Sequence, residues 1–304
     1  MTPETDLLVD RRRLKRHLVA WRILGIVALL VAVLVALDRF GGGATLRDHV
    51  ARLTVDGFIA EDRDMIEAIE RVAEDPRAKA LVVRIDSPGG TFVGGESLFR
   101  ALRRVAEAKP VVAVMGTLAT SAAYMAALGA DRLFAHDGTI TGSIGVIMQT
   151  ADVTRLLDKL GVSAEAIKSG PLKAAPSPFE PLTDEVRAAV RAIIDDMHAL
   201  FMDMVVSRRG LSPETVRVLA DGRVYSGRQA VENRLVDAIG DETDARAWLA
   251  SEKGVPTSLP TFDARIRDEE PAWLPKLSAM GRKILFSERL TLDGLVSVWQ
   301  PDLE

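Results

Sequence analysis

The pattern of apolar and polar positions divides the chain near residue 38. Ile23 to Leu37 is an unbroken apolar run, and Leu18 to Trp21 extends it with only Arg22 intervening. A run of that length suffices to cross a hydrocarbon core of about 30 Å. Beyond it the apolar runs shorten and follow two periods. His49 to Val55 alternates as a strand, whereas Asp62 to Ala73 puts Met65, Ile66, Ile69 and Val72 on one helical face. Ala80 to Ile85, apolar but for Arg84, is a run of the kind buried in a parallel sheet, and it ends in Asp86-Ser-Pro-Gly-Gly90. A helix is predicted over 95–108, then a strand from Val111 to Met115, then a helix starting near Ser121. Strand and helix alternating at short spacing predict an α/β core with parallel strands, built from repeated strand-helix units.

Further on, short strands are predicted at Arg132 to Ala135, Ile140 to Met148 and Ala164 to Ile167, with a helix from Val153 to Leu160. Pro and Gly crowd Ser169 to Pro178, which marks an irregular loop. Thr183 to Arg209 reads as a long amphipathic helix, capped by Thr183 and stopped by Gly210. Shorter helices are predicted at Ser212 to Ala220, Gly227 to Asn233 and Asp241 to Ala250. Residues 251–304 have weaker periodicity and stand as a C-terminal extension to which the pattern assigns no role.

Charge gives the apolar run an orientation. Arg11, Arg12, Arg13, Lys15 and Arg16 precede it and Asp38 closes it. By the positive-inside rule, residues 1–17 form a cytoplasmic basic tail and 18–37 a single-pass transmembrane anchor. Residues 38–48, with Gly41 to Gly43, form a linker to a domain exported to the far side of the membrane. A cleaved signal peptide is the competing reading, but Leu37-Asp38-Arg39-Phe40 lacks an Ala-x-Ala-like site. The net charge is −4, and residues 1–22 hold six basic and three acidic side chains. The exported remainder is therefore acidic and has no electrostatic footprint for nucleic acid. The absence of Cys excludes thiol nucleophiles, thiolate zinc sites and disulfides. His, Asp and Glu are scattered without two-ligand spacing, so no metal site and no cofactor are expected.

What chemistry remains centres on Gly116-Thr-Leu-Ala-Thr-Ser-Ala-Ala-Tyr124. Thr120 and Ser121 are both good N-cap residues, and Ala119, Ala122, Ala123, Ala126 and Ala127 leave room for another backbone to approach. Taken alone, Ser121 reads as a helix cap in a tight core. A nucleophilic serine needs a base, and none of the four histidines is convincing. His17 lies in the basic leader, His49 at a strand start and His198 on the long helix, while His136 occupies a turn. Lysine is the other route. Of 39 basic residues only nine are Lys, and a buried lysine can act as a base where arginine cannot. Lys159 reads as helix surface and Lys168 as a strand-edge charge. Lys173 stands between Leu172 and Ala174-Ala175 with no acidic neighbour before Glu180, a setting that favours desolvation over ion pairing. By itself it still reads as a loop charge. Asp86 to Gly90 leaves backbone N–H groups uncovered at the sheet edge where open α/β folds bind ligands.

Six motifs occur in order: Val83-Arg-Ile-Asp-Ser-Pro-Gly-Gly90, the Ala-Thr-Ser-Ala-Ala-Tyr block, Asp131-Arg-Leu-Phe-Ala, Thr139-Ile-Thr-Gly-Ser-Ile-Gly-Val146, Lys168-Ser-Gly-Pro-Leu-Lys173 and Asp221-Gly-Arg-Val-Tyr-Ser-Gly-Arg-Gln-Ala230. Together they resemble the signal peptide peptidase A (protease IV) family in its short, single-repeat form. The resemblance implies a Clp-protease/crotonase-like fold over a serine protease domain at 49–250 and a Ser–Lys dyad. It makes Ser121 the nucleophile and Lys173 the general base. Gly90 then pairs with the Ser121 N–H in the oxyanion hole, Gly89 is the register alternative, and Ser143 holds the lysine. It also implies homo-oligomeric rings in which the lysine acts within its own chain or reaches an adjacent protomer's serine. The implied substrates are remnant signal peptides and other apolar peptides at the membrane. Activity is expected to rise with pH as Lys173 loses its proton. Thr120-Ser121-Ala122-Ala123 departs from the Ala-Ser-Gly of many members. The rivals are a stomatin-partner membrane protease, a ring-forming scaffold without turnover, and a crotonase-type acyl-CoA enzyme.

Overall fold

A computed structural model of the protein describes residues 21–31 and 47–264. Residues 21–31, inside the apolar run, are helical and exposed. The rest of the predicted anchor, the basic tail, most of the linker and residues 265–304 lie outside the described residues. Among the described residues no helix is long and apolar enough to cross a membrane.

The largely apolar runs become the centre of the sheet. β1 (His49–Ile59), β2 (Ala78–Gly90) and β3 (Val111–Thr120) lie side by side and parallel. β8 (Thr261–Asp263) extends the sheet beyond β1. On the other side β3 is followed by β5 (Ile140–Gly142) and then β6 (Val224–Ser226), the last pairing antiparallel. β4 (Arg132–Ala135) also pairs with β3, and β7 (Ala238–Ile239) pairs with β4. Leu81, Val82, Val83, Ile85, Val111, Val112, Ala113 and Met115 are fully buried. This is why their run shows no alternation: both faces of the sheet are covered. Each large side chain so buried contributes about 1.5–3 kcal/mol.

One face carries α8 (Glu242–Lys253), whose Ala245 and Leu249 pack on Val50, Val82, Val112, Val114 and Phe134. The helices α1 (Arg63–Glu74), α2 (Phe92–Ala108) and α3 (Ala122–Ala127) follow β1, β2 and β3 in turn. All six residues of α3 are buried, and the Tyr124 hydroxyl donates to Leu235 O at 2.9 Å. α4 (Thr154–Leu160) buries none of its residues. α5 (Asp184–Arg209) starts at Thr183, whose side chain accepts from Val186 N–H, and ends at Gly210 in the left-handed region, as its sequence predicts. α6 (Pro213–Leu219) and α7 (Gly227–Glu232) complete the helices of the described residues.

Three expectations change. β2 and β3 run beyond their apolar stretches, to Gly90 and Thr120, because neighbouring strands accept their polar ends. The strand predicted over Ile140 to Met148 stops at Gly142, where Gly142 (φ 86°) and Ser143 (φ 51°) turn the chain. The strand predicted at Ala164 to Ile167 does not form, and Ile167 is wholly exposed. Of Ala164-Glu-Ala-Ile167 only Ile167 favours a strand, and no neighbouring strand pairs with the segment to override that weak propensity.

Candidate active site

The turn from β3 to α3 carries Ser121 at φ 55° and ψ −121°, a strained conformation for any residue but glycine. Ser121 occupies the N-cap position, yet its side chain makes no capping hydrogen bond. The capping role that its residue type suggests is thus not taken, and the hydroxyl at this helix start is left for other work. Thr120, the other cap candidate, turns its hydroxyl to Pro88 O at 2.9 Å.

The strand end of β2 lies against this turn. A Cβ on Gly89 (φ 103°) would stand 2.8 Å from Thr120 O, 2.9 Å from Ser121 Cβ and 3.1 Å from Ala122 N. Only glycine lets the two backbones approach so closely. Gly89→Ala is therefore expected to destabilise the fold by on the order of 2 kcal/mol or more and to push the strand off Ser121. Thermal melts and peptidase assays check this; a variant unchanged in both would contradict the packing.

The backbone donors sort themselves by partner. Gly89 N–H is taken by Ser87 Oγ at 3.0 Å, which leaves the register alternative for the oxyanion hole without a free donor. Thr91 N–H donates to Ile59 O at 2.8 Å, with Ile59 paired to Gly90. The alternation of a parallel ladder then turns Gly90 N–H away from β1. Ser121 N–H, expected as the second oxyanion donor, instead donates to Gly142 O at 2.9 Å. This corrects the sequence expectation: β5 pairs with β3 up to Thr120 and uses that N–H. The next one, on Ala122, opens α3 and has no partner among the described residues. No side-chain signal could have pointed to it, because the donor is backbone and the choice depends on which neighbour β5 supplies.

Gly142 leads into Ser143, half-buried, whose N–H donates to Arg223 O at 2.8 Å. The structure thus brings Ser121, Gly89, Gly90 and Ser143 together at one end of the sheet. It does not bring Lys173 to them. Lys173 is exposed, with no hydrogen bond or ion pair from its side chain among the described residues. Among the described residues nothing desolvates it, and it stands as the loop charge its sequence suggests. Glu180, its first acidic neighbour in sequence, pairs with Lys168 instead. The described histidines stay away as well, and His17 lies outside the described residues. His49 is buried beside Asp75 at 3.7 Å, and His198 Nε2 lies 2.8 Å from Ala220 O. His136 is exposed and lines a 220 Å³ pocket with Arg84, Asp241 and Glu242, without Ser121.

Comparison with known proteins falls on the same segment. The profile described as Peptidase family S49 matches residues 103–256. A putative protease of Synechocystis is 40% identical over 227 residues, covering 74% of this chain and 81% of that protein. A putative signal peptide peptidase SppA of Enterococcus faecium is 31% identical over 218 residues, 67% of this chain and 63% of the relative. Protease 4 of Salmonella typhi is 36% identical over 178 residues, 58% of this chain and 28% of the relative. The chain thus spans most of the first relative and well under two thirds of the third. Among solved structures, a membrane-bound stomatin-specific protease with a substrate peptide is 14% identical with a TM-score of 0.45, covering 79% of this chain and 100% of that one. The family profile and the curated relatives make this a serine peptidase. More narrowly, the chain belongs to peptidase family S49.

Proposed function

We propose that this protein is a membrane-anchored serine endopeptidase that works by a Ser121–Lys173 dyad and degrades apolar peptides, remnant signal peptides among them, on the outer side of a bacterial-type inner membrane. The observation that carries this reading is the uncapped hydroxyl of Ser121 on its strained turn, between the partnerless N–H of Ala122 and the strand end Gly89-Gly90. A neutral Lys173 amine takes the Ser121 proton while Oγ bonds to the scissile carbonyl carbon. The negative charge passes to the carbonyl oxygen, held by the N–H groups of Gly90 and Ala122 and favoured by the start of α3. Lys173 then returns its proton to the departing amine, the peptide C–N bond breaks, and water, activated by the same amine, frees the acyl group from Ser121. Ser143 supports Lys173.

Lys173 completes the site when chains associate, in our reading the lysine of one protomer serving the serine of the next in a ring. Two features support association. Lys173 is exposed with no partner among the described residues, and the segment around it presents Ile147, Met148, Leu156, Leu160, Ile167 and Phe179 to solvent. A patch of that kind marks an interaction surface. The apolar substrate class is supported by Phe58, 71% exposed and paired in register with Gly89 beside the serine. The stomatin-partner and scaffold readings differ in substrate and in turnover.

The test is reaction of the full chain with a fluorophosphonate probe, followed by peptide mapping of the modified residue. The label is expected on Ser121. A label mapped to another serine, or none on a folded and assembled protein, overturns the proposal.

A further inference from the structure

Ser87 is fully buried, and its hydroxyl is hydrogen-bonded at the place where the sheet loses register. Between β1 and β2, Asp56 pairs with Asp86 and Phe58 with Gly89. Two residues of β2, Ser87 and Pro88, therefore oppose the single residue Gly57, which sits at φ 63°. Such a bulge interrupts the ladder and bends the strand that carries it, and Pro88 has no N–H to offer. The Ser87 hydroxyl replaces what is lost: it donates to Gly57 O at 2.6 Å and accepts Gly89 N–H at 3.0 Å. Its neighbours hold the same loop from the β3 side, where Asp86 Oδ1 accepts Leu118 N–H at 3.0 Å and Thr120 Oγ1 donates to Pro88 O.

From this arrangement we infer that Ser87 is a positioning residue of the peptidase reaction: it fixes the peptide unit of Gly89 so that the next N–H, that of Gly90, points at the developing oxyanion. The inference rests on the Ser121 reading above. Gly89 has no Cβ to hold it, and at φ 103° it can rotate in ways barred to other residues. The Ser87 hydroxyl is the group that binds its N–H directly. Without that bond Gly89 N–H is free to turn toward the serine side and the Gly90 donor drifts. A donor displaced by a fraction of an ångström acts mainly on the transition state, in which the charge has formed, and little on the bound substrate.

The experiment uses the full chain with Ser87→Ala, the near-isosteric Ser87→Cys and the hydroxyl-retaining Ser87→Thr. Turnover of a fluorogenic apolar peptide, inhibition by the corresponding peptide aldehyde and thermal melts are measured for each. Ser87→Ala and Ser87→Cys are expected to lower kcat by about 10- to 100-fold with KM nearly unchanged. Aldehyde affinity should fall by the same factor, because its tetrahedral adduct puts an oxygen in the hole, while the affinity of a carboxylate product peptide stays constant. Ser87→Thr should restore most of kcat. Loss through KM alone, unchanged aldehyde affinity, or equal loss in all three variants in step with their melting temperatures would overturn the positioning role. Fluorophosphonate labelling keeps the two readings apart. If wild type labels at Ser121 and Ser87→Ala keeps wild-type kcat, only the Ser87 inference fails; if Ser121 does not label, the dyad reading fails first.

Discussion

Ser121→Ala is expected to lower peptide hydrolysis by on the order of 10⁴- to 10⁶-fold and to remove fluorophosphonate labelling, with the fold intact. The stability readout is as informative as the activity. A serine that caps a helix costs about 1 kcal/mol when replaced by alanine. Ser121 makes no capping bond, so the melting temperature should hardly move. A capping serine without a chemical role would behave the opposite way, losing stability and keeping activity. Ser121→Gly sharpens the contrast. Glycine accepts φ 55° without strain, so this variant should gain roughly 1 kcal/mol while losing all turnover. Residual hydrolysis in Ser121→Ala above that of a Ser121→Ala, Lys173→Ala double variant would point to another nucleophile.

The second large effect is expected at Lys173. Lys173→Ala should lower kcat by about 10³-fold, the scale of a lost general base. Lys173→Arg should be as damaged, because a guanidinium keeps its proton and cannot accept one from Ser121. Neither change should disturb the isolated fold, since the side chain is exposed and has no partner among the described residues. The decisive measurement is mixing. In a ring whose sites take serine from one protomer and lysine from the next, random co-assembly of Ser121→Ala with Lys173→Ala chains leaves about a quarter of the sites complete. Recovery of roughly that fraction of wild-type activity supports a shared site, and no recovery from verified mixed rings rules it out.

Much of the sheet was readable because burial on both faces leaves a mark that needs no partner. Ala80 to Ile85 and Val111 to Met115 could be placed as central parallel strands for that reason, and β1 through α3 appeared in order. Helix ends with local chemistry were readable too. Thr183 and Asp241 cap through their own side chains, and Gly210 takes the left-handed turn. Elements whose stability comes from elsewhere were not. The short β6, β7 and β8 exist because β5, β4 and β1 offer edges, and Ala164 to Ile167, with weak strand propensity and no edge, forms no strand. β8 also carries the described domain past residue 250, into the stretch set apart as an extension.

The candidate site divides along the same line. Residue type alone left Ser121 a helix cap and Lys173 a loop charge; the six motifs in order, through the family they resemble, singled out Ser121, the Gly89-Gly90 pair, Ser143 and Lys173. Which backbone donor is free was decided by tertiary structure alone: β5 claims the Ser121 N–H through Gly142 O, and Ser87 claims that of Gly89. Such assignments depend on which strand lies beside which, and hydrogen-bonding capacity is the same for nearly every residue in the chain. The tertiary structure also showed Ser121 to be an uncapped, strained turn where the sequence suggested a cap, since a backbone angle is set by the strand and helix that meet there. Lys173 is exposed, as its reading as a loop charge predicts, and among the described residues no surface of its own chain covers it.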